Sequence, residues 1–230
     1  MGGEQFDRRW IILGGFAVLA GVIVAVILIS RSGGGDSGST STTAKGKAVC
    51  QEVEQPAPRE ESLPKPKQTV KKGEKLTAVV ETSCGTFDIA LATSEAPIIA
   101  NSFAYLAEEG FYDELTFHRI VPEFVIQGGD PTGTGSGGAG YSVTEKPPAN
   151  LKYTKGTVAM AKGGTDPPGR AGSQFFVVTG PGGESLPPEY ALVGKVSSGM
   201  DVVEAIGELG GADEKPTQPV VIDKMSIERG

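Results

Sequence analysis

The chain has 230 residues, of which 38% are hydrophobic, and its 28 Asp and Glu outweigh 21 Lys and Arg to leave a net charge of −7. That suffices for one sizeable folded domain with additions, while 34 glycines and 16 prolines imply long loops or a linker. One His and two Cys leave too few ligands for a zinc site and only His118 as a base for a serine or cysteine nucleophile. The charge is uneven: residues 31–75 carry nine Lys/Arg against six Asp/Glu, a net of +3, and residues 76–230 carry ten against twenty, a net of −10. An acidic domain repels phosphate backbones, which argues against nucleic acid as a partner.

Residues 1–10 form a short tail ending in Arg8, Arg9 and Trp10. Ile11 to Ser30 contains no charge and is dominated by Ile, Val, Leu, Ala and Gly, the length a helix needs to cross a bilayer. The run exceeds the apolar core of an ordinary signal peptide, so residues 11–30 read as a transmembrane anchor. Lys and Arg counts on its two sides do not decide the orientation. A short tail before a first apolar segment favours export of the downstream chain, so the expected location is the cell membrane, single-pass, with the domain on the extracytoplasmic side. Residues 31–75 open with GGGDSGSTSTT and continue with Pro56, Pro58, Pro64 and Pro66 among charges. This composition cannot bury enough apolar surface to fold alone and reads as a flexible tether, spanning on the order of 35–40 Å.

From residue 76 onward short β-rich runs recur: LTAVVET, TFDIALA, LTFHRIV, FVIQGG, GTVAMAK, SQFFVVTG, YALVGKV and PVVIDKMSIE. Ile99, Phe103 and Leu106 repeat at helical spacing after Pro97, with Gly110 as a stop. Val202, Val203, Ile206 and Leu209 do the same before Gly210. The pattern predicts a mainly β domain over residues 76–230, a closed eight-stranded antiparallel barrel capped by two helices. Gly133, Gly135 and Gly138 spell a GxGxxG, but no helix follows, so a dinucleotide site is not expected.

The stretch YDELTFHRIVPEFVIQGGD, Tyr112 to Asp130, resembles the central signature of the cyclophilin-type peptidyl-prolyl isomerases, matching at Tyr112, Phe117, His118, Arg119, Phe124, Gln127, Gly128 and Gly129. GTVAMAK, SQFFVVTG and ALVGKV follow in the family's order. With an apolar segment in front, the chain resembles bacterial membrane-anchored members. The resemblance implies isomerisation of X-Pro bonds in protein substrates and a folding role at the membrane. It implies no cofactor and no metal. It places the catalytic arginine on Arg119, with Gln127 and Phe124 beside it. The substrate pocket falls on Val125, Ala161, Gln174, Phe176, Leu186 and Tyr190. Ser185 stands where eukaryotic members carry Trp and Tyr190 where they carry His, which should weaken cyclosporin binding. Lys162 replaces an Asn, and the loop to Gly172 is longer than usual.

Elementary chemistry leads the same way. Rotation about an X-Pro bond is opposed by amide resonance worth about 18–20 kcal/mol, and no bond is made or broken. A guanidinium donating to the prolyl nitrogen would localise its lone pair as the amide twists. Two rival readings are a binding module that holds proline segments without turning them over and a general chaperone; a retained Arg119 favours the enzyme. His118 reads as structural, because neighbours on a strand face opposite ways. Cys50 and Cys84 are either a disulfide, if the domain is exported, or two thiols.

Overall fold

Alternating burial along Leu76–Thr82 (β1) and Gly85–Leu91 (β2) sends Ala78, Val80, Phe87 and Ile89 to one face, the period of two that a half-buried sheet requires. Residues 48–230 are described in the structure, a computed structural model. The apolar run at 11–30 lies outside them; among the described residues no helix is long and apolar enough to cross a membrane. After β2 comes α1 (Pro97–Glu108), which starts on a proline whose missing N–H costs nothing at the first turn. Gly110 follows the helix at φ +69°, a left-handed backbone that glycine adopts without a Cβ clash. The remaining strands are β3 (Leu115–Thr116), β4 (Arg119–Val121), β5 (Val125–Gly128), β6 (Val143–Thr144), β7 (Thr157–Met160), β8 (Arg170–Ala171), β9 (Phe175–Val178), β10 (Leu192–Ser198) and β11 (Val221–Arg229). A short 3-10 turn covers Pro181–Ser185, and α2 spans Met200–Gly207.

Nine strands form one antiparallel sheet in the order β3-β11-β1-β2-β10-β7-β9-β5-β4, and β6 pairs with β8 separately. The expected closed eight-stranded barrel is therefore corrected to a curled sheet. Its two edge strands, β3 and β4, are consecutive in the chain, separated by Phe117 and His118. No ladder joins β3 to β4, so the ring stays open. The single run LTFHRIV thus divides: Leu115–Thr116 pairs with β11, and Arg119–Val121 turns to pair with β5.

The concave face of the sheet holds the main core. Phe103 from α1 meets Tyr112 and Phe175 with ring centroids 5.1 and 5.4 Å away, and Tyr112 meets Phe175 at 5.5 Å. Val203 and Ile206 of α2 are fully buried in the same cluster.

The segment before β1 departs from the free tether the composition implies. Cys50 is joined to Cys84 in the β1–β2 turn by a disulfide. The Arg59 guanidinium donates to the carbonyls of Phe111 and Asp113 at 2.8 and 2.9 Å. The N–H groups of Thr69 and Val70 donate to Asn101 Oδ1 at 2.7 and 2.9 Å, and Val70 is 4% exposed within the main core. A polar, proline-rich segment cannot build a core of its own, but it needs only backbone partners and a few anchors to lie on one already formed. The folded unit accordingly begins well before residue 76.

Candidate active site

Strands β4, β5, β9 and β7 carry the site because their cross-strand register puts polar and aromatic residues in one row. Arg119 is opposite Gln127, Gln127 opposite Phe176, and Phe176 opposite Ala159. Directly opposed residues share a face, so this row points away from the main core while Ile120, Ile126, Val177 and Val158 point into it. The convex face has a second apolar cluster of its own: Val125, Tyr153, Ala159, Phe176 and Val178, with Phe124, Leu151, Ala161, Leu186 and Tyr190 packed against it.

On that cluster sits a groove of about 230 Å³ lined by Arg119, Phe124, Val125, Gln127, Ala161, Lys162, Phe176, Leu186 and Tyr190. All the residues assigned to the site by resemblance meet there except Gln174, which lines an adjoining recess of about 440 Å³ sharing Gln127, Ala161 and Lys162. Ser185 is not among the lining residues; its hydroxyl donates to the Gly182 carbonyl at 2.8 Å and ends the 3-10 turn. Phe176 and Tyr190 stand edge to face at 5.4 Å, making an apolar corner. The Arg119 guanidinium carbon lies 5.9 Å from the Phe124 ring centroid.

Polar contacts set the arginine. Its Nε donates to Glu214 Oε2 at 2.7 Å and its Nη1 to Gln127 Oε1 at 3.4 Å. Gln127 Nε2 then donates to Gln174 Oε1 at 3.0 Å. The Arg119 hydrogen bond, and then its charge, hold the Glu214 carboxyl below its ordinary pKa.

Three residues of the site escaped the sequence. Glu214 is 95 positions from Arg119 and sits in the loop after α2 with φ +60°, so no local pattern announces it. Tyr153 is fully buried beneath the groove; its hydroxyl donates to the Tyr190 carbonyl at 2.7 Å and accepts from the Tyr190 N–H at 3.0 Å. Burial pushes its pKa up to about 12. Lys162, noticed only as a departure from the family pattern, has a side chain 6% exposed, 3.3 Å from Glu189, with Nζ 5.7 Å from the Tyr190 ring centroid.

His118 does not line the groove. Neither of its ring nitrogens has a hydrogen-bond partner among the described residues. Burial lowers its pKa; Asp130 opposes that and Arg119 adds to it. Among the described residues no group of three His, Cys, Asp or Glu could hold a metal ion.

A curled antiparallel sheet with a guanidinium, a glutamine pair and an aromatic corner on its convex face defines a cyclophilin-like isomerase fold. The family model for cyclophilin-type peptidyl-prolyl cis-trans isomerases matches residues 77–227. A peptidyl-prolyl cis-trans isomerase-like 1 protein of Gibberella zeae is 38% identical over 154 residues, 65% of this chain and 93% of its own. A Schizosaccharomyces pombe peptidyl-prolyl cis-trans isomerase is 38% identical over 150 residues, 63% of this chain and 94% of its own. A Xenopus laevis homologue of a spliceosome-associated protein is 42% identical over 151 residues, covering 61% of this chain but 30% of that protein. The crystal structure of a Cryptosporidium parvum cyclophilin-type isomerase, obtained in the presence of the dipeptide Ala-Pro, superposes with a TM-score of 0.61 at 30% identity, covering 67% of this chain and 99% of that one. The chain belongs to the cyclophilin-type peptidyl-prolyl cis-trans isomerase family and is an isomerase.

The same relatives correct the expected location. They are named as isomerase-like and spliceosome-associated proteins, and none of those names is that of a membrane protein. Neither a cell-membrane location nor the likeness to bacterial membrane-anchored members is upheld. An uncharged apolar run meets the length criterion for spanning a bilayer, but length alone does not establish that it spans one.

Proposed function

We propose that the Arg119 groove is where X-Pro bonds of polypeptide substrates are isomerised, and that Arg119 is the catalytic residue. The observation carrying this reading is the convergence of one guanidinium, one amide and an apolar corner on a single open groove. In this reading the pyrrolidine ring packs against Phe124, Val125, Phe176, Leu186 and Tyr190. Arg119 Nη1 and Nη2 face the prolyl nitrogen and donate to its lone pair as the amide leaves planarity, so the C–N bond loses double-bond character. Gln127 and the Ala161 backbone hold the peptide on either side of the rotating bond, with Gln174 fixing Gln127. An Ala-Pro unit, the dipeptide used with the Cryptosporidium relative, is the smallest substrate fragment this scheme requires.

The magnitudes constrain the division of labour. Shortening isomerisation from tens of seconds to milliseconds takes roughly 5.5 kcal/mol of selective transition-state stabilisation. A charge-assisted hydrogen bond contributes up to about 3 kcal/mol, so ring burial and a preorganised donor must contribute the remainder.

Arg119→Ala tests the scheme. Its side chain is 32% exposed and paired with a half-exposed carboxylate, an arrangement that adds little to stability. The variant should fold normally and lose about a hundredfold or more in kcat/KM on a proline tetrapeptide. A folded Arg119→Ala protein with near-normal kcat/KM would remove Arg119 from the mechanism.

A further inference from the structure

The polar wall of the groove is a relay whose direction is imposed at both ends. A guanidinium only donates, so Gln127 turns Oε1 towards Arg119 and its amide nitrogen towards Gln174. Gln174 must then point its own amide nitrogen outward, where it donates to the carbonyls of Gly135 and Gly137 at 3.0 and 2.9 Å. The last anchor of the relay is thus the backbone of the loop at residues 131–140. Glycine-rich backbone loses the most conformational freedom on ordering, so this loop needs ties from outside its own sequence.

It has them on two sides. From within the fold Asp130, 1% exposed, accepts the Thr132 N–H and hydroxyl on Oδ1 and the Gly135 and Gly137 N–H groups on Oδ2. On the outside, the segment ahead of β1 grips both ends of the loop. The Arg59 N–H donates to the Pro131 carbonyl at 2.9 Å, and the Leu63 N–H donates to the Ala139 carbonyl at 2.9 Å. The Arg59 side chain locks this in place through Phe111, Asp113 and an ion pair with Glu61 at 2.8 Å. The segment is itself fastened at its two ends, by the Cys50–Cys84 disulfide and by Asn101.

We propose that residues 48–70 are a positioning strap for the isomerase groove, with Arg59 its central positioning residue, acting through the 131–140 loop on Gln174 and Gln127. The proposal rests on the Arg119 groove being the isomerase site. Neither Arg59 nor Leu63 lines the groove; in this scheme their effect on turnover passes through the loop.

The test uses the full-length chain. Arg59→Ala removes the side-chain lock, and Leu63→Pro removes the N–H that holds Ala139, so the two variants release the loop by different means. For each, kcat/KM on an Ala-Pro tetrapeptide is measured with hydrogen exchange of the Gly135 and Gly137 amides, alone and combined with Gln174→Ala. Exchange should quicken in both variants, and kcat/KM should fall about three- to tenfold, the effect of one misplaced hydrogen bond. In the Gln174→Ala background Arg59→Ala should cost nothing further, since the link it acts through is gone. Quickened exchange with unchanged kcat/KM, or losses that multiply in the double variant, would overturn the strap. So would variants in which exchange and kcat/KM both stay at the wild-type values. Near-normal activity in Arg119→Ala would instead strike the site assignment, a result readable separately from the loop exchange.

Discussion

Arg119 is held from two directions, by Glu214 on Nε and Gln127 on Nη1, which leaves the outer edge of the fork for a substrate. Glu214→Ala should free the guanidinium to swing and lower kcat several-fold. Glu214→Gln keeps an oxygen acceptor and should retain most of the rate; steady-state kinetics on the two variants separates them. Tyr153 acts on the opposite wall. Tyr153→Phe leaves the Tyr190 N–H and carbonyl without their buried partner, which should destabilise the domain by about 1–3 kcal/mol in denaturant unfolding. His118 gives a pH test. Its folded pKa is lowered by burial first, against the pull of Asp130, so the unfolded chain takes up the proton first as pH falls. The stability it contributes is complete above its unfolded value of about 6.5 and is lost as pH falls through the lower folded value. His118→Gln should remove that part of the acid sensitivity. Because no group in the proposed machinery changes charge there, kcat/KM of the folded enzyme should stay nearly flat from about pH 5 to 8.5. A tenfold fall towards the acid end of that interval, absent from His118→Gln, would make His118 a base.

At the scale of elements the glycine-rich loop depends on one carboxylate. Burial of Asp130 pushes its pKa up, but hydrogen bonds from Thr132, Gly137 and Gly135 outweigh burial and hold the pKa below the ordinary carboxylate value. The sign is that of a depressed acid: the stabilisation is present above the unfolded pKa of about 3.9 and is lost as pH falls through the folded value. Asp130→Asn turns an amide N–H towards backbone donors and should loosen the loop at neutral pH, seen as faster exchange at Gly135 and Gly137. Gly129 beside it, at φ +86°, leaves no room for a Cβ, which would lie 2.6 Å from the Ser173 carbonyl. This close approach of the two backbones sets Gln174, next after Ser173, within reach of the loop. The strand runs from LTAVVET to PVVIDKMSIE were legible because period-two alternation and β-branched residues mark half-buried strands. The β6–β8 pair was not, since strands of two residues carry no period.

For the whole molecule, the disulfide and the strap make the folded unit larger than residues 76–230. Breaking the Cys50–Cys84 link opens a loop whose two ends are 34 positions apart, a change of roughly 4 kcal/mol in the chain-entropy account. Cys50→Ser should lower the unfolding midpoint measured without reductant, and dithiothreitol should lower the native midpoint to match it. Alkylation of both thiols in native protein before reduction would show that the pair is not formed.

The family, and the residues that line most of the groove, were legible in the chain because Arg119, Gln127, Phe124 and Phe176 lie in contiguous motifs whose order and residue types reflect local demands. Strand alternation also determined which of those side chains leave the main core. The remaining contacts needed the assembled fold. Glu214 reaches Arg119, and Tyr153 reaches Tyr190, across loops that no local period registers. A polar segment around Arg59, with nothing of its own to bury, became part of the fold only because carbonyls of the finished domain stood ready to accept its donors.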